Sequence, residues 1–243
     1  MNVTYIVLGV VLVIVLYLIY IYMFSGVKTI ATMLDCTTIY TVIPGTSLPT
    51  PTSVSYAYGV WIYIQNWLPA ANGYQNIFCR QSTSATASTI YYTLKVYMAK
   101  NTPTLYVDFR STDDMPSTTT TSTTDNQMVI TNNFPLQKWV CLVVSVDSVN
   151  CDVYMDGKMI KTTPMTTSAT LSPSPQPNAD YGVKCGPFGG YLAGLTNWNQ
   201  TLDPQSVWNF YLKGNGVSAL GSTYGMQVDI LSNGQVDSTV TVF

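Results

Sequence analysis

Apolar and polar residues alternate with a period of two along most of this chain, which is the pattern of β-strands. The densest apolar run is Trp139-Val140-Cys141-Leu142-Val143-Val144, where both alternating faces are apolar. We therefore expect a strand buried on both sides. Residues 151–155 alternate Cys, Val and Met with Asp and Tyr, which predicts one buried and one wet face. With a third strand over residues 159–163, they form a predicted meander at the centre of the chain.

Two short polar segments predict the turns of this meander. Asp147-Ser148-Val149-Asn150 separates the first two strands, and Asp156-Gly157 separates the second from the third. Asp-Gly between β-rich runs predicts a type I′ hairpin, because that turn needs a positive φ at both central residues. A meander with one fully buried strand is typical of a sandwich of two antiparallel sheets.

Three stretches of this sequence resemble a known family. Residues 139–158 contain W-x-C-L-V-V-S-V-D and then D-V-Y-M-D-G-K, which resembles the hairpin of laminin-G-like and concanavalin A-like domains. Residues 190–214, GYLAGLTNWNQTLDPQSVWNFYLKG, resemble the last core strand of that superfamily and its short following helix. A third match lies at YGVWIYI, residues 58–64, followed by IFCR, residues 77–80. The resemblance implies an all-β, two-sheet antiparallel sandwich of the jelly-roll type, but little about function, because this fold serves lectins, glucanases, adhesion modules and virion proteins.

The N-terminal segment follows a different pattern. Residues 3–24 contain no charge, and 22 helical residues extend about 33 Å, enough to cross the hydrocarbon core of a bilayer. A cleaved signal peptide would need a basic start and a shorter apolar core, and a buried core helix would be unusual in a sandwich. We therefore predict one transmembrane helix, with tyrosines in an aromatic belt at its C-terminal end. Its marker residues are Val3, Tyr17, Tyr20, Tyr22 and Phe24.

The chain is thus predicted to have three parts: a transmembrane anchor over residues 1–27, a linker and first strand over residues 28–52, and the laminin-G-like sandwich over residues 53–243. Within the sandwich, Asp203-Pro204 supplies an N-cap and a first-turn proline for a short helix. Ser232-Asn233-Gly234 predicts a C-terminal hairpin.

The composition argues against catalysis. Only 9% of the residues are charged, the net charge is −2, and the chain contains neither Glu nor His. Without His, the usual general base, the serine-type triad and the commonest transition-metal ligand are missing. Without Glu, the Glu-x-Asp-x-Glu strand of the related glucanases is impossible. We expect a non-enzymatic protein without a cofactor, and the lack of a basic patch argues against nucleic acid as a partner.

A few residues are candidates for binding. Trp67 and Tyr74 lie in one predicted loop and are candidates for stacking on sugar rings, with simple packing as the alternative. Relatives in the superfamily often hold calcium in rim loops, which makes Asp113, Asp114 and Asp125 candidate ligands, although solvated loop carboxylates and the lack of EF-hand spacing favour no metal. The five cysteines show no metal-like spacing. They are expected to be buried thiols, with one disulfide and unpaired remainders as the alternative.

These features predict a single-pass membrane protein that contacts the lipid bilayer through residues 3–24. A polar surface with few charges suits a protein packed into an assembly of other structural proteins. The overall character resembles the minor virion proteins of large DNA viruses with an internal membrane. We therefore expect a minor capsid protein that tethers the virion inner membrane, derived from a host membrane, to the capsid shell. The alternative is a membrane-anchored lectin or adhesin that binds glycans.

Overall fold

The alternating segments of the chain form antiparallel β-strands. A computed structural model describes residues 9, 11–18, 27–49, 55–67, 74–83, 90–108, 111–112, 127–147, 149–164, 182–216, 227–232 and 235–241. In chain order the strands are β1 (Val27–Asp35), β2 (Thr41–Ile43), β3 (Tyr56–Ile64), β4 (Tyr74–Thr83), β5 (Ile90–Ala99), β6 (Leu105–Asp108), β7 (Ser111–Thr112), β8 (Gln127–Thr131), β9 (Trp139–Val146), β10 (Asn150–Met155), β11 (Lys158–Pro164), β12 (Val183–Cys185), β13 (Gly190–Trp198), β14 (Gln227–Ser232) and β15 (Gln235–Thr241). A 3₁₀ turn at Gly45–Ser47 and helix α1 (Pro204–Leu212) interrupt this series.

Two sheets make up the predicted sandwich over the described residues. The first sheet has the strand order β1-β13-β3-β9-β10-β11. The second has the order β2-β12-β4-β5-β6-β8, with β7 also paired to β5. The pairs within both sheets are antiparallel, so the predicted all-β, two-sheet antiparallel architecture is confirmed. Strands β14 and β15 pair with each other, as predicted for the C-terminal hairpin.

The main core lies between the two sheets. Strand β9 contributes Val140, Leu142 and Val144 to it, and the intervening Cys141 and Val143 are equally buried on the other face. The sequence predicted burial on both faces. Helix α1 explains the second one, because its Val207 lies in the same apolar cluster as these two residues. Full burial of a side chain such as Val207 contributes about 1.5–3 kcal/mol of stability.

Helix α1 begins as the sequence predicts. The Asp203 side chain accepts a hydrogen bond from the Ser206 backbone N–H at 2.9 Å, and Pro204 occupies the first turn. Phe210 packs edge-to-face on Trp198 of β13, with ring centroids 5.1 Å apart. Beneath this contact lies Gly59 of β3, where a Cβ atom would come within 2.8 Å of the Phe210 ring. The close approach of the helix to the sheet therefore depends on a glycine.

The Asp156-Gly157 turn also has the predicted form. Its φ values are 50° and 77°, and β10 and β11 continue directly on either side, which confirms a type I′ hairpin. The prediction of a wet face on β10 holds only in part. Tyr154 is 1% exposed, because the apolar cluster beneath α1 extends as far as this strand.

The range predicted as a linker and first strand, residues 28–52, begins with β1, which pairs with β13 at the edge of the first sheet. β1 lacks a regular alternation of apolar and polar residues, and a largely exposed edge strand does not require one. The predicted span is described at residue 9 and at residues 11–18, and residues 11–18 are helical. No helix within the described residues has both the length and the apolar composition to cross a membrane. All five cysteines are buried free thiols, in agreement with the first of the two alternatives.

Candidate functional site

Tyrosines gather on the outer face of the second sheet, opposite the core. Strands β4, β5 and β6 lie side by side, and their register places Tyr97 between Asn76 and Tyr106. In the next row on the same face, Lys95 lies between Cys79 and Asp108. The other alternation of β5 and β6 is apolar and points into the core, where the charged side chain of Arg80 on β4 is also buried. We call the cluster around Lys95 the tyrosine face; its members are Tyr74, Tyr92, Tyr97 and Tyr106.

Lys95 is the centre of the tyrosine face. Its ammonium nitrogen Nζ donates a hydrogen bond to the Tyr74 hydroxyl at 2.8 Å. The same atom lies 4.0 Å, 4.8 Å and 5.3 Å from the ring centroids of Tyr74, Tyr92 and Tyr97. Lys95 is only 2% exposed. Cation–π attraction to several rings offsets part of the cost of removing the ammonium group from water.

The rings differ in how much water they contact. Tyr97 is buried and stacks on Tyr106 with centroids 5.2 Å apart and planes at 14°, while Tyr74 meets Tyr97 at 5.2 Å and 60°. Tyr74 and Tyr106 are half-buried, so part of each ring faces outward. Burial raises the pKa of the Tyr97 phenol, and the hydrogen bond that Gln127 donates to its hydroxyl oxygen opposes the rise. Tyr97 is thus a fixed, neutral support between two rings that remain accessible.

A buried thiol lies at the margin of the tyrosine face. Cys79 lies between Lys184 of β12 and Lys95 of β5 in the strand register. Burial raises the pKa of Cys79 to about 12, although both lysines act to lower it. The thiol is therefore protonated near neutral pH and is not a nucleophile. The Lys184 ammonium lies 3.9 Å above the ring of Tyr40, which is 53% exposed.

The chemistry of this face is that of recognition. Half-exposed phenol rings can stack on apolar surfaces of a ligand, and the nearby amide and hydroxyl groups can fix its orientation. Among the residues that the structure describes, no group of three His, Cys, Asp or Glu side chains could hold a metal ion. The calcium candidates Asp113, Asp114 and Asp125 lie outside the described residues.

The two predicted sugar-stacking residues occupy different environments. Tyr74 belongs to the tyrosine face, where its hydroxyl accepts from Lys95. Trp67 lies at the same end of the sheet, but its ring packs against the main core and its indole N–H donates to the Lys100 carbonyl at 3.1 Å. Sequence reasoning did not identify Lys95, Tyr97 and Tyr106. These residues belong to the alternating patterns of β5 and β6, but only the strand register shows that they lie side by side.

Of the predicted anchor residues, Tyr17 is described and is 62% exposed. Val3, Tyr20, Tyr22 and Phe24 lie outside the described residues.

Several solved structures are similar to this chain. A mutant of Trypanosoma rangeli sialidase displaying trans-sialidase activity is 12% identical, with a TM-score of 0.45, over 67% of this chain and 23% of the sialidase. Domain 4 of AbnA, a GH43 extracellular arabinanase from Geobacillus stearothermophilus, in complex with arabinotriose, is 14% identical, with a TM-score of 0.43, over 65% of this chain and 67% of that chain. Botulinum neurotoxin type C, whose cell entry is dependent upon interaction with two ganglioside molecules, is 13% identical, with a TM-score of 0.43, over 65% of this chain and 35% of the toxin chain. The chain thus spans about a quarter of the length of the sialidase. No curated protein matches it.

The family is established by the sequence itself. A laminin G family profile, described as the Concanavalin A-like lectin/glucanases superfamily, matches residues 35–208. The match extends from the end of β1 into helix α1 and includes the strands of the tyrosine face. The chain therefore belongs to the concanavalin A-like lectin/glucanase superfamily, as a laminin-G-like member.

Proposed function

We propose that this chain is a membrane-tethered, non-enzymatic binding module that holds glycans on its tyrosine face. The observation that carries the proposal is the pair of half-buried rings, Tyr74 and Tyr106, packed on either side of the buried Tyr97. The superfamily name includes lectins, which is consistent with this role.

A sugar ring suits this surface for physical reasons. Its C–H groups form apolar patches that can pack on an aromatic face, while its hydroxyls need hydrogen-bond partners. Lys95 holds Tyr74 by a charge-assisted hydrogen bond, and Tyr97 holds Tyr106 by stacking. Rings fixed in this way lose little conformational entropy when a ligand binds.

The lack of Glu and His in the chain supports a binding role without catalysis. Glycoside hydrolysis commonly uses two carboxyl groups that flank the bond, one of them with a raised pKa. Asp108 is the acidic residue in the Lys95 row of the tyrosine face, where it lies opposite the ammonium group in the register. One aspartate beside a lysine does not provide the pair of carboxyl groups that such hydrolysis commonly uses.

Exposed apolar side chains support the membrane tether. Residues 11–18 are helical, and their large apolar side chains are between 45% and 65% exposed. Transfer of each such side chain from water to an apolar environment is favourable by about 1.5–3 kcal/mol. A bilayer would cover them, and β1 begins at Val27, so the sandwich would lie close to the membrane surface. The matched test compares liposome flotation of the full chain with that of a Val13→Asp/Leu16→Asp variant, which should remain at the bottom of the gradient.

The glycan proposal is tested on an array of neutral and acidic glycans, with the full chain in detergent micelles. We expect saturable binding to at least one sugar class. Tyr106→Ala should weaken it at least about tenfold, or about 1.4 kcal/mol, whereas Tyr106→Phe keeps the ring and should bind nearly as the wild type does. Binding that is insensitive to Tyr106→Ala, or no binding at all, would contradict the proposal.

A second candidate is a structural role: a minor capsid protein that tethers a virion inner membrane to the capsid shell. An apolar surface near helix α1 favours it, since Met159 and Ile160 on β11 and Trp208 and Leu212 on α1 are between 38% and 63% exposed. Such a surface with few charges suits docking to another protein. The test is mass spectrometry of purified particles after detergent removes their lipid. Retention of the chain with the shell supports this role, and its loss with the lipid contradicts it.

A further inference from the structure

A row of three aromatic rings crosses the outer face of the first sheet. Tyr191 of β13, Tyr63 of β3 and Trp139 of β9 are direct partners in the strand register. The Tyr63 ring centroid lies 6.4 Å from that of Tyr191 and 5.3 Å from that of Trp139. All three residues are half-buried, so each ring keeps a part of its surface in contact with water. We call this row the aromatic strip.

The aromatic strip begins where the cover of helix α1 ends. Trp61 precedes Tyr63 by two residues and therefore lies on the same face of β3. The Trp61 ring is 8% exposed, because Tyr211 of α1 stacks on it with centroids 5.5 Å apart and planes at 18°. The strip thus continues an aromatic surface whose inner part is used for packing. It lies on the opposite side of the sandwich from the tyrosine face.

Polar groups border the strip. Gln65 is exposed and follows Tyr63 by two residues. Gln137 is also exposed, and its backbone N–H donates to the Ile64 carbonyl at 2.8 Å, which fixes it beside the end of β3. Rings with exposed amides at their margin combine an apolar platform with hydrogen-bond donors and acceptors. A ligand with both apolar faces and hydroxyl groups would match this combination.

The charges at the two ends of the strip favour a neutral ligand. Asp35 is the register partner of Tyr191, and hydrogen bonds from Thr37 lower the pKa of its carboxyl group, so it is ionised near neutral pH. At the other end, Lys138 and Asp156 form an ion pair at 3.8 Å. The strip therefore offers no unbalanced cation among these flanking residues, and an acidic ligand would meet the Asp35 carboxylate.

One flat ligand face cannot stack in parallel on all three rings of the strip. Tyr63 is inclined by 43° to Trp139 and by 42° to Tyr191. A single plane cannot lie against rings with such inclinations. A chain of linked sugar rings can, because each glycosidic linkage allows the next ring to rotate.

We propose that the aromatic strip is a second ligand site, which binds a neutral oligosaccharide of several hexose or pentose units. The proposal extends the proposed function to a new site and rests on it only for the class of ligand. With the tyrosine face on the other sheet, one chain would hold two glycan chains on opposite sides of the sandwich. Tethered copies on a membrane would then bind a glycan-covered surface with avidity.

The test is isothermal titration of the full chain in detergent micelles with cellohexaose, xylohexaose, mannohexaose and maltohexaose. At least one of these neutral hexasaccharides should bind. Tyr63→Thr should weaken its binding by about tenfold or more, a loss of about 1.4 kcal/mol, and Tyr191→Thr should do the same from the other end of the strip. Tyr63→Phe keeps the ring and should stay within about twofold of the wild type. Thermal unfolding of each variant establishes that the sandwich is intact.

The variants of the two faces separate the two proposals. Hexasaccharide binding that survives Tyr106→Ala but not Tyr63→Thr supports the strip, even if the tyrosine face proves inactive. Binding lost in Tyr106→Ala and unchanged in Tyr63→Thr and Tyr191→Thr overturns the strip and leaves the proposed function standing. The strip is equally overturned if none of the four hexasaccharides binds, or if a proline-rich peptide binds there and the sugars do not.

Discussion

Asp156 and Cys141 are joined by hydrogen bonds in both directions. The Asp156 backbone N–H donates to the Cys141 carbonyl at 2.8 Å, and the Cys141 N–H donates to Asp156 Oδ1 at 2.9 Å. Asp156 lies in the turn after β10, whereas Cys141 lies in β9, so the carboxylate fastens the turn to the neighbouring strand. Aspartate also tolerates the φ of 50° at this position better than most residues do. One residue thus meets the needs of the turn and of the sheet.

Gly157, the second residue of this turn, should be hard to replace. We expect Gly157→Ala to lower the free energy of unfolding by about 1–3 kcal/mol, the cost of a strained backbone position. Its φ is 77°, and an added Cβ would also lie 2.6 Å from Cε3 of Trp208 on helix α1. Urea unfolding of the full chain in detergent micelles measures the loss, and an unchanged midpoint would show that the turn is not tight.

The two causes can be separated with Trp208→Ala, which removes the colliding ring and leaves the backbone unchanged. In that background Gly157→Ala should still destabilise the protein, but by less than in the wild type, because the positive φ and a 3.3 Å approach to Tyr211 Cβ remain. A cost that vanishes entirely would assign the whole effect to the collision.

Lys95 should stabilise the fold through the rings that surround it. Lys95→Met preserves the length of the side chain but removes the hydrogen bond to Tyr74 and the cation–π contacts. Hydrogen bonds to charged groups contribute about 1.5–3 kcal/mol, and we expect a loss of this order in urea unfolding. Tyr74→Phe removes only the hydroxyl and should therefore cost less than Lys95→Met. Equal or greater stability of Lys95→Met would mean that burying the ammonium costs more than its contacts return.

Much of the fold was predictable from the sequence, because the local sequence patterns favour the same structure as the tertiary packing. The apolar run of β9, the Asp-Gly turn and the Asp203-Pro204 start of α1 each specify their own geometry. The bounds of β1 were not predictable, because a bulge between Thr29 and Ala31 breaks the alternation of this edge strand. Ile30, Ala31 and Leu34 pack against the core, and the remaining residues of β1 are exposed.

The tyrosine face could not be predicted from alternation alone. The register between β4 and β5 shifts between Arg80 and Gln81, so that Leu94 pairs with Arg80 and Tyr92 with Gln81. This bulge adds one residue to β5 and reverses the faces on either side of it. Tyr92 and Lys95, which differ in parity, therefore lie on one face, as their cation–π contact requires. The aromatic strip depends on register in the same way, because its three rings come from strands far apart in the chain.

The five buried thiols should be inert in the native protein. Cysteine reacts as the thiolate, and burial raises the pKa of every thiol in the chain. We expect none of the thiols of the native chain in detergent micelles to react with Ellman's reagent within minutes at pH 8. In about 6 M guanidinium, which unfolds the chain, all five thiols should react. Rapid reaction of one native thiol would reveal an opening of the sandwich near that cysteine.

The same burial should make the fold sensitive to alkali. A thiol in the unfolded chain has a pKa of about 8.5, whereas burial raises the pKa of Cys36 and of Cys79 to about 12 in the folded chain. Between these values only the unfolded state releases the proton. Burial of the protonated thiols therefore stabilises the fold in full below about pH 8.5. This stabilisation is lost as the pH rises towards the folded pKa, by about 1.4 kcal/mol per pH unit for each thiol.

Cys79→Ala provides the matched control for this prediction. At pH 8 the variant should be somewhat less stable than the wild type, because it loses the packing of a buried sulfur atom. As the pH rises from about 9.5 to 11, its free energy of unfolding should fall less steeply, by about 1.4 kcal/mol per pH unit. The tyrosines that ionise in the same range are present in both proteins and cancel in the comparison. Parallel pH profiles for the two proteins would show that Cys79 ionises equally well in the folded chain, and that the alkaline loss of stability has another origin.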